Sequence, residues 1–128
     1  MNWHVKGDLR SSFRHALEGL AYVLRAERNA RIDLTIALLV LLLGATLGLS
    51  AMEWVLIIAA IALVFAGEML NTVVELTVDL ITYRQNPLAK RAKDVAAGAI
   101  LVAAVAAAIM GLIILGPRLW TKISAFWR

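Results

Sequence analysis

The chain contains no cysteine, which excludes disulfides, thiolate metal sites and thiol nucleophiles and leaves the redox compartment undetermined. It also lacks GxxxxGK[ST], GxGxxG and H-E-x-x-H, so no nucleotide or zinc site of a standard soluble kind is encoded. The two histidines, His4 and His15, stand alone in the sequence and read first as surface residues. Charge is missing from two long stretches, residues 34–52 and 95–117. Each is long enough to cross a hydrocarbon core as a helix.

What is present agrees with those gaps. Of the 128 residues, 62% are hydrophobic and the mean hydropathy is +0.81, which places the chain among membrane proteins. The expected fold is all-α: an N-terminal amphipathic surface helix over about 8–30, then transmembrane spans over about 33–52, 54–82 and 92–116, and a short basic C-terminal tail. One domain, 1–128, accounts for the whole. A cleaved signal peptide is not expected, because the apolar run starts only at Leu34, after a long charged segment.

The surface helix follows from apolar residues at Phe13, Leu17, Leu20 and Leu24, a helical spacing that lines one face. Gly44 and Gly48 form a small-xxx-small pair, and Ala99, Ala103, Ala107 and Gly111 repeat every four residues. Both patterns predict close helix packing and an oligomer. Pro87 disfavours helical geometry at Asn86 and marks the boundary between two helices.

Basic residues cluster in 1–33 (Lys6, Arg10, Arg14, Arg25, Arg28, Arg31) and in the loop after the second span (Arg84, Lys90, Arg91, Lys93). The positive-inside rule puts both segments in the cytoplasm, with Arg118, Lys122 and Arg128 outside. The net charge of +4 points to anionic lipid or a phosphate ligand, and no nucleic acid partner is expected.

The second span carries the anomaly. Glu68, Asn71, Glu75 and Asp79 interrupt an apolar run, and on a helix they fall within an arc of about 80°. A carboxylate at the bilayer centre costs about 2.5–3.5 kcal/mol, so such a stripe must face the bundle or water. A bland reading places the acids at the interface, paired with Lys90, Lys93 or Arg84. Against it, Glu68 lies about 16 Å of helix before Asp79, so one acid at least is deep. A deep glutamate suits proton transfer, and carboxylates nearer the water suit a hard cation such as Mg²⁺. Lys90, Lys93 and Asp94 share one face of the next helix, near its N-terminus. With Glu27 at the same level, they suggest a site for a metal-bound polyphosphate.

The segments "EMLNTVVELTVDL" and "NPLAKRAKDVAAGAILVAA", with "FRHALEGLAYVLRAERNARI" upstream, closely resemble the bacterial integral-membrane diacylglycerol kinase and undecaprenol kinase family over roughly residues 10–116. The resemblance implies a homotrimer in the cell membrane that transfers the γ-phosphate of MgATP to a lipid hydroxyl at the cytoplasmic face. It implies Glu68 as the catalytic base, Glu27 and Glu75 as ligands of the metal on the nucleotide, and Asn71 as a positioning residue near the base, with Asp79 on the same stripe. It further implies ATP contacts from His15, Glu27, Glu75, Arg84, Gln85, Asn86, Lys93 and Asp94. Asn86 stands where many members have histidine, and Val73-Val74 where Ala-Ile is usual. "ERNARI" and "PLAKRAKDVAAGAILVAA" look more like the undecaprenol kinase branch, with diacylglycerol as the alternative acceptor. Outside the family, a small proton-coupled transporter could use Glu68 but has no need of Glu75, Asp79, Lys93 and Asp94 together, and a purely structural membrane subunit would need none of them.

Overall fold

Short-range interactions define the helix ends. In the computed structural model, which describes residues 8–127, helix α1 (Leu9–Ala26) stops at one extended residue, Glu27, and helix α2 (Arg28–Leu47) begins at once. Arg31 of α2 reaches back to donate to the carbonyls of Arg25 (2.9 Å) and Leu24 (3.3 Å). It thereby satisfies orphan acceptors in the last turn of α1 and holds the corner between the two helices. His4, Lys6 and Arg128, used in the sequence reading, lie outside the described residues.

Helix α2 ends at Gly48, whose φ of 65° is the left-handed conformation that favours glycine. Gly48 therefore closes a helix, and the small-residue approach expected of it falls to Gly44 alone. A Cβ on Gly44 would meet Leu49 Cδ1 at 2.9 Å and the Trp54 ring at 3.0 Å. Two residues later Ser50 opens helix α3 (Ala51–Ile81) with a capping box: its hydroxyl accepts from the Glu53 N–H, and the Glu53 carboxylate accepts from the Ser50 N–H. After a loop of residues 82–86, Asn86 caps helix α4 (Pro87–Phe126) by accepting from the Leu88 N–H at 2.8 Å, with Pro87 in the first turn.

Helix α4 is 40 residues long, about 60 Å at helical rise. It passes through Pro117, so the segment read from the sequence as a tail continues the helix. Arg118 ties this end to the α2–α3 turn. Its guanidinium donates to both carboxylate oxygens of Glu53 (2.9 and 2.6 Å) and to the Gly48 carbonyl (2.8 Å), while Lys122 donates to the Thr46 carbonyl. Two cations thus meet the carbonyl-rich C-terminus of α2, where a helix dipole favours positive charge.

Helices α3 and α4 pack antiparallel along most of their length, and α2 leans on both. Ala103, which is buried, faces Gly67 of α3. At Ala103 the alanine face of α4 is thus used inside the chain, while Ala99 of the same face stays exposed. Near the α2–α3 turn, Ile57, Ile114 and Leu115 form the apolar core. Elsewhere large aliphatic side chains such as Leu42, Leu63, Leu101 and Leu112 stay more than half exposed. Helices α2, α3 and α4 are each long and apolar enough to cross a membrane, and hydrocarbon is the solvent those exposed faces require.

Arg118→Met should lower stability by about 1–2 kcal/mol, because a bidentate charged contact and a helix-end contact are lost together. Thermal unfolding in detergent measures this, and an unchanged midpoint would show that Arg118 does not hold the turn.

Candidate active site

The polar side chains of α3 divide into two layers. In the deeper layer Glu68, Asn71 and Thr72 are the buried polar residues among those described, and Glu68 is only 2% exposed. Thr72 donates its hydroxyl to the Glu68 carbonyl at 3.0 Å, which takes care of its own polarity inside the helix. Asn71 donates from Nδ2 to Glu75 Oε1 at 3.1 Å, one helical turn away. That bond orients the amide, and it leaves Asn71 Oδ1 buried with no partner among the described residues. A buried unpaired acceptor costs about 1–3 kcal/mol, so this oxygen favours any donor brought to it.

Asp33 of α2 completes the layer. Its carboxyl lies within hydrogen-bonding reach of Glu68, and the charges of Glu27 and Glu75 also act on Glu68. Four carboxyl groups from the α1–α2 corner, α2 and α3 are therefore near enough for their charges to act on Glu68, though no three of them converge on one point. Among the described residues none of the four forms a salt bridge. The buried Glu68 in particular is thus open to a cation that arrives with a ligand or to a transferred proton.

Asp33 escaped the sequence reading. It was visible there only as the last charge before the first apolar run, six positions after Glu27. A search for every acid within two helical turns of Glu27 would have found it.

The second layer is a cavity of about 870 Å³ at the α3–α4 loop. Asp79, Arg84, Gln85, Asn86, Lys93 and Asp94 all line it. Here the bland reading of the acids is partly correct, since Lys93 Nζ donates to Asp79 Oδ1 at 2.7 Å and Lys90 pairs with Asp94. The same reading fails for Glu68 and Glu75, which form no salt bridge among the described residues. His15 is apart from both layers: its ring meets Glu18 on α1 at 3.2 Å, and it does not line the loop cavity.

Asp79 lies about 16 Å along α3 from Glu68. A water-facing cavity with exchangeable ion pairs thus stands over the buried Glu68, which has no cationic partner among the described residues. That division suits a ligand whose charged end stays wet while its reacting end reaches inward. The comparison with known sequences decides what kind of chain carries it: the profile of the prokaryotic diacylglycerol kinase family matches residues 14–115.

The chain belongs to this family of lipid kinases. It is 47% identical over 108 residues to the undecaprenol kinase of Bacillus subtilis, covering 84% of this chain and 88% of that protein. It is 40% identical over 118 residues to a diacylglycerol kinase of Synechocystis, covering 91% of this chain and 67% of that one. The diacylglycerol kinase of Escherichia coli is 36% identical over 78 residues, 61% of this chain and 64% of its own length. The family match spans α2, α3 and both polar layers and stops just before Pro117.

Because the Lys93–Asp79 pair is partly exposed, it should contribute only about 0–1 kcal/mol to stability. Lys93→Met and Asp79→Asn should each leave the unfolding midpoint in detergent nearly unchanged. A large drop in either would reveal a structural role for the pair.

Proposed function

We propose that this lipid kinase transfers the γ-phosphate of MgATP to the hydroxyl of undecaprenol, working as a homotrimer with its site at the cytoplasmic face of the cell membrane. The observation that carries the reading is Glu68: a carboxyl 2% exposed, with no cationic partner among the described residues, at the inner end of a stripe that leads to the loop cavity. The high identity to the Bacillus subtilis undecaprenol kinase supports the polyprenol over diacylglycerol. The exposed apolar residues Leu9, Phe13 and Leu17 support α1 as a helix lying on the membrane.

In this reading Glu68 accepts the proton as the lipid O–H bond breaks, the lipid oxygen bonds to the γ-phosphorus, and the bond to the leaving ADP oxygen breaks. Asn71, fixed by its bond to Glu75, positions the groups around the base. Arg84, Gln85, Asn86, Lys93 and Asp94 border the nucleotide, and phosphates entering the cavity compete for the lysines now paired with Asp79 and Asp94. His15 would contact the nucleotide from α1 only if ligand brings that helix to the loop.

Glu27 and Glu75 would hold the Mg²⁺. Among the described residues no cluster of three or more metal-ligating side chains exists, which suits Mg²⁺, since this ion is usually held by one or two carboxylates together with substrate phosphates and water. When bound, the ion neutralises charge on the phosphates.

Purified protein given MgATP with labelled γ-phosphate, and equal amounts of undecaprenol and diacylglycerol in mixed micelles, should label undecaprenol preferentially. Label in neither lipid, from folded protein, would remove the reading. Glu68→Gln should abolish transfer while MgATP binding stays within a few-fold, and loss of nucleotide binding would contradict its role as base. Glu27→Gln and Glu75→Gln should each shift the Mg²⁺ titration to higher concentration, and an unshifted titration would exclude them as ligands.

A further inference from the structure

Below the carboxyl cluster, between α2, α3 and α4, lies a cavity of about 190 Å³ that no step described so far uses. Its lining is aliphatic or aromatic with one exception, Asp33, which stands at the end nearest the loop and reaches Glu68. Ile57, Ala60 and Val64 of α3 form its buried wall. On the opposite side Ile36 of α2 and Ala108 of α4 are exposed, so the cavity opens sideways, at the level of the membrane-spanning segments. Its width is set by alanines: Ala37, Ala104 and Ala107 stand where larger side chains would fill it.

We propose that this cavity seats the hydroxyl-bearing end of a single-chain prenol and excludes diacylglycerol, with Asp33 orienting the hydroxyl toward Glu68. The inference rests on the lipid kinase reading above and adds to it a physical basis for acceptor choice. Three features carry it.

The first is size. A closed apolar cavity of about 150 Å³ is enough for a benzene-sized molecule, so the space here holds roughly one branched five-carbon unit. The remainder of a long prenol leaves through the opening between Ile36 and Ala108 into the bilayer.

The second is polarity. A prenol is hydrocarbon apart from its hydroxyl, and the cavity has one polar residue, placed at the end where that hydroxyl must react. A diacylglycerol carries two ester groups close to its hydroxyl. The one polar lining side chain, Asp33, is taken up by the hydroxyl, so none remains to donate a hydrogen bond to their carbonyls, and the helix N–H groups are already engaged. Each buried, unpaired carbonyl costs about 1–3 kcal/mol, a penalty the prenol does not incur.

The third is position. Asp33 forms that end of the cavity and Glu68 follows the lining residue Val64 by one turn of α3, so a hydroxyl held there is brought close to the proposed base. Asp33 is a positioning residue in this scheme, acting on the hydroxyl that Glu68 deprotonates.

Photolabelling without nucleotide tests the site directly. Farnesol carrying a diazirine next to its hydroxyl-bearing carbon should label α2 near Asp33 or α4 near Ala104. Undecaprenol should displace the label and an equal amount of diacylglycerol should not. Label elsewhere, or equal displacement by the two lipids, would overturn the proposal. Ala107→Phe should fill the cavity, removing the label and raising KM for the prenol at least about tenfold, with KM for MgATP unchanged. Ala108→Phe, at the exposed mouth, should do the same without crowding the helix contact, which keeps the test decisive if Ala107→Phe fails to fold. An unchanged prenol KM in folded Ala108→Phe would count against the site. Wild-type protein that transfers phosphate but takes label elsewhere would lose the cavity and keep the kinase. Protein labelled in the cavity that transfers phosphate to no lipid would lose the kinase and keep the cavity.

Discussion

Hydrocarbon cannot hydrogen-bond, and that constraint governs the rest of the structure. Every backbone N–H and C=O in the membrane must find its partner within the chain, so α2, α3 and α4 cross as helices. By the same constraint a carboxyl inside the membrane must turn away from lipid. The stripe on α3 therefore determines which face of that helix is internal. Glu68, at 2% exposure, is its inner end. The alanine-rich contact between α3 and α4 lets the helices come close, while α2 supplies Asp33 on the side of Glu68.

The two ends of the bundle solve different problems. At the α2–α3 turn the charges are mutually satisfied: Glu53 belongs at once to the capping box and to Arg118, and Arg118 and Lys122 cover the last carbonyls of α2. This end is a fastening. At the opposite end Asp79, Lys93, Lys90 and Asp94 form exchangeable ion pairs around an open cavity, and deeper still the carboxyls have no cation among the described residues. Such an arrangement is poised for ligands that bring positive charge as a metal and negative charge as phosphate. Rigidity at one end and unsatisfied polarity at the other suit a small enzyme that reacts a water-borne donor with a membrane-borne acceptor.

Much of this was legible in the chain itself. The spacing of Glu68, Asn71, Glu75 and Asp79 identified one polar face, and Pro87 with Asn86 marked the start of the last helix, now seen as a proline in the first turn behind an asparagine cap. Other readings were incomplete. Gly48 carried a helix-packing signal in the sequence, yet it ends α2 in a left-handed conformation. The alanines of α4 signalled close approach without naming the partner, and at Ala103 that partner is α3 of the same chain. The helix persists past Pro117 because hydropathy reports where apolar residues end, and a helix can continue beyond that point when Arg118 and Lys122 anchor it.

Asp33 marks the boundary between what each level decides. The sequence by itself determined the helices, the spans and the face that must be buried, because helical periodicity and the cost of polar groups in hydrocarbon act locally along one segment. Only the tertiary structure decided that Asp33 stands beside Glu68, that Arg118 closes on Glu53, and that alanines from two helices leave a cavity of about 190 Å³. Those facts depend on distances between segments far apart in the chain, set by how side chains on separate helices interlock, and no repeat within a single helix encodes them.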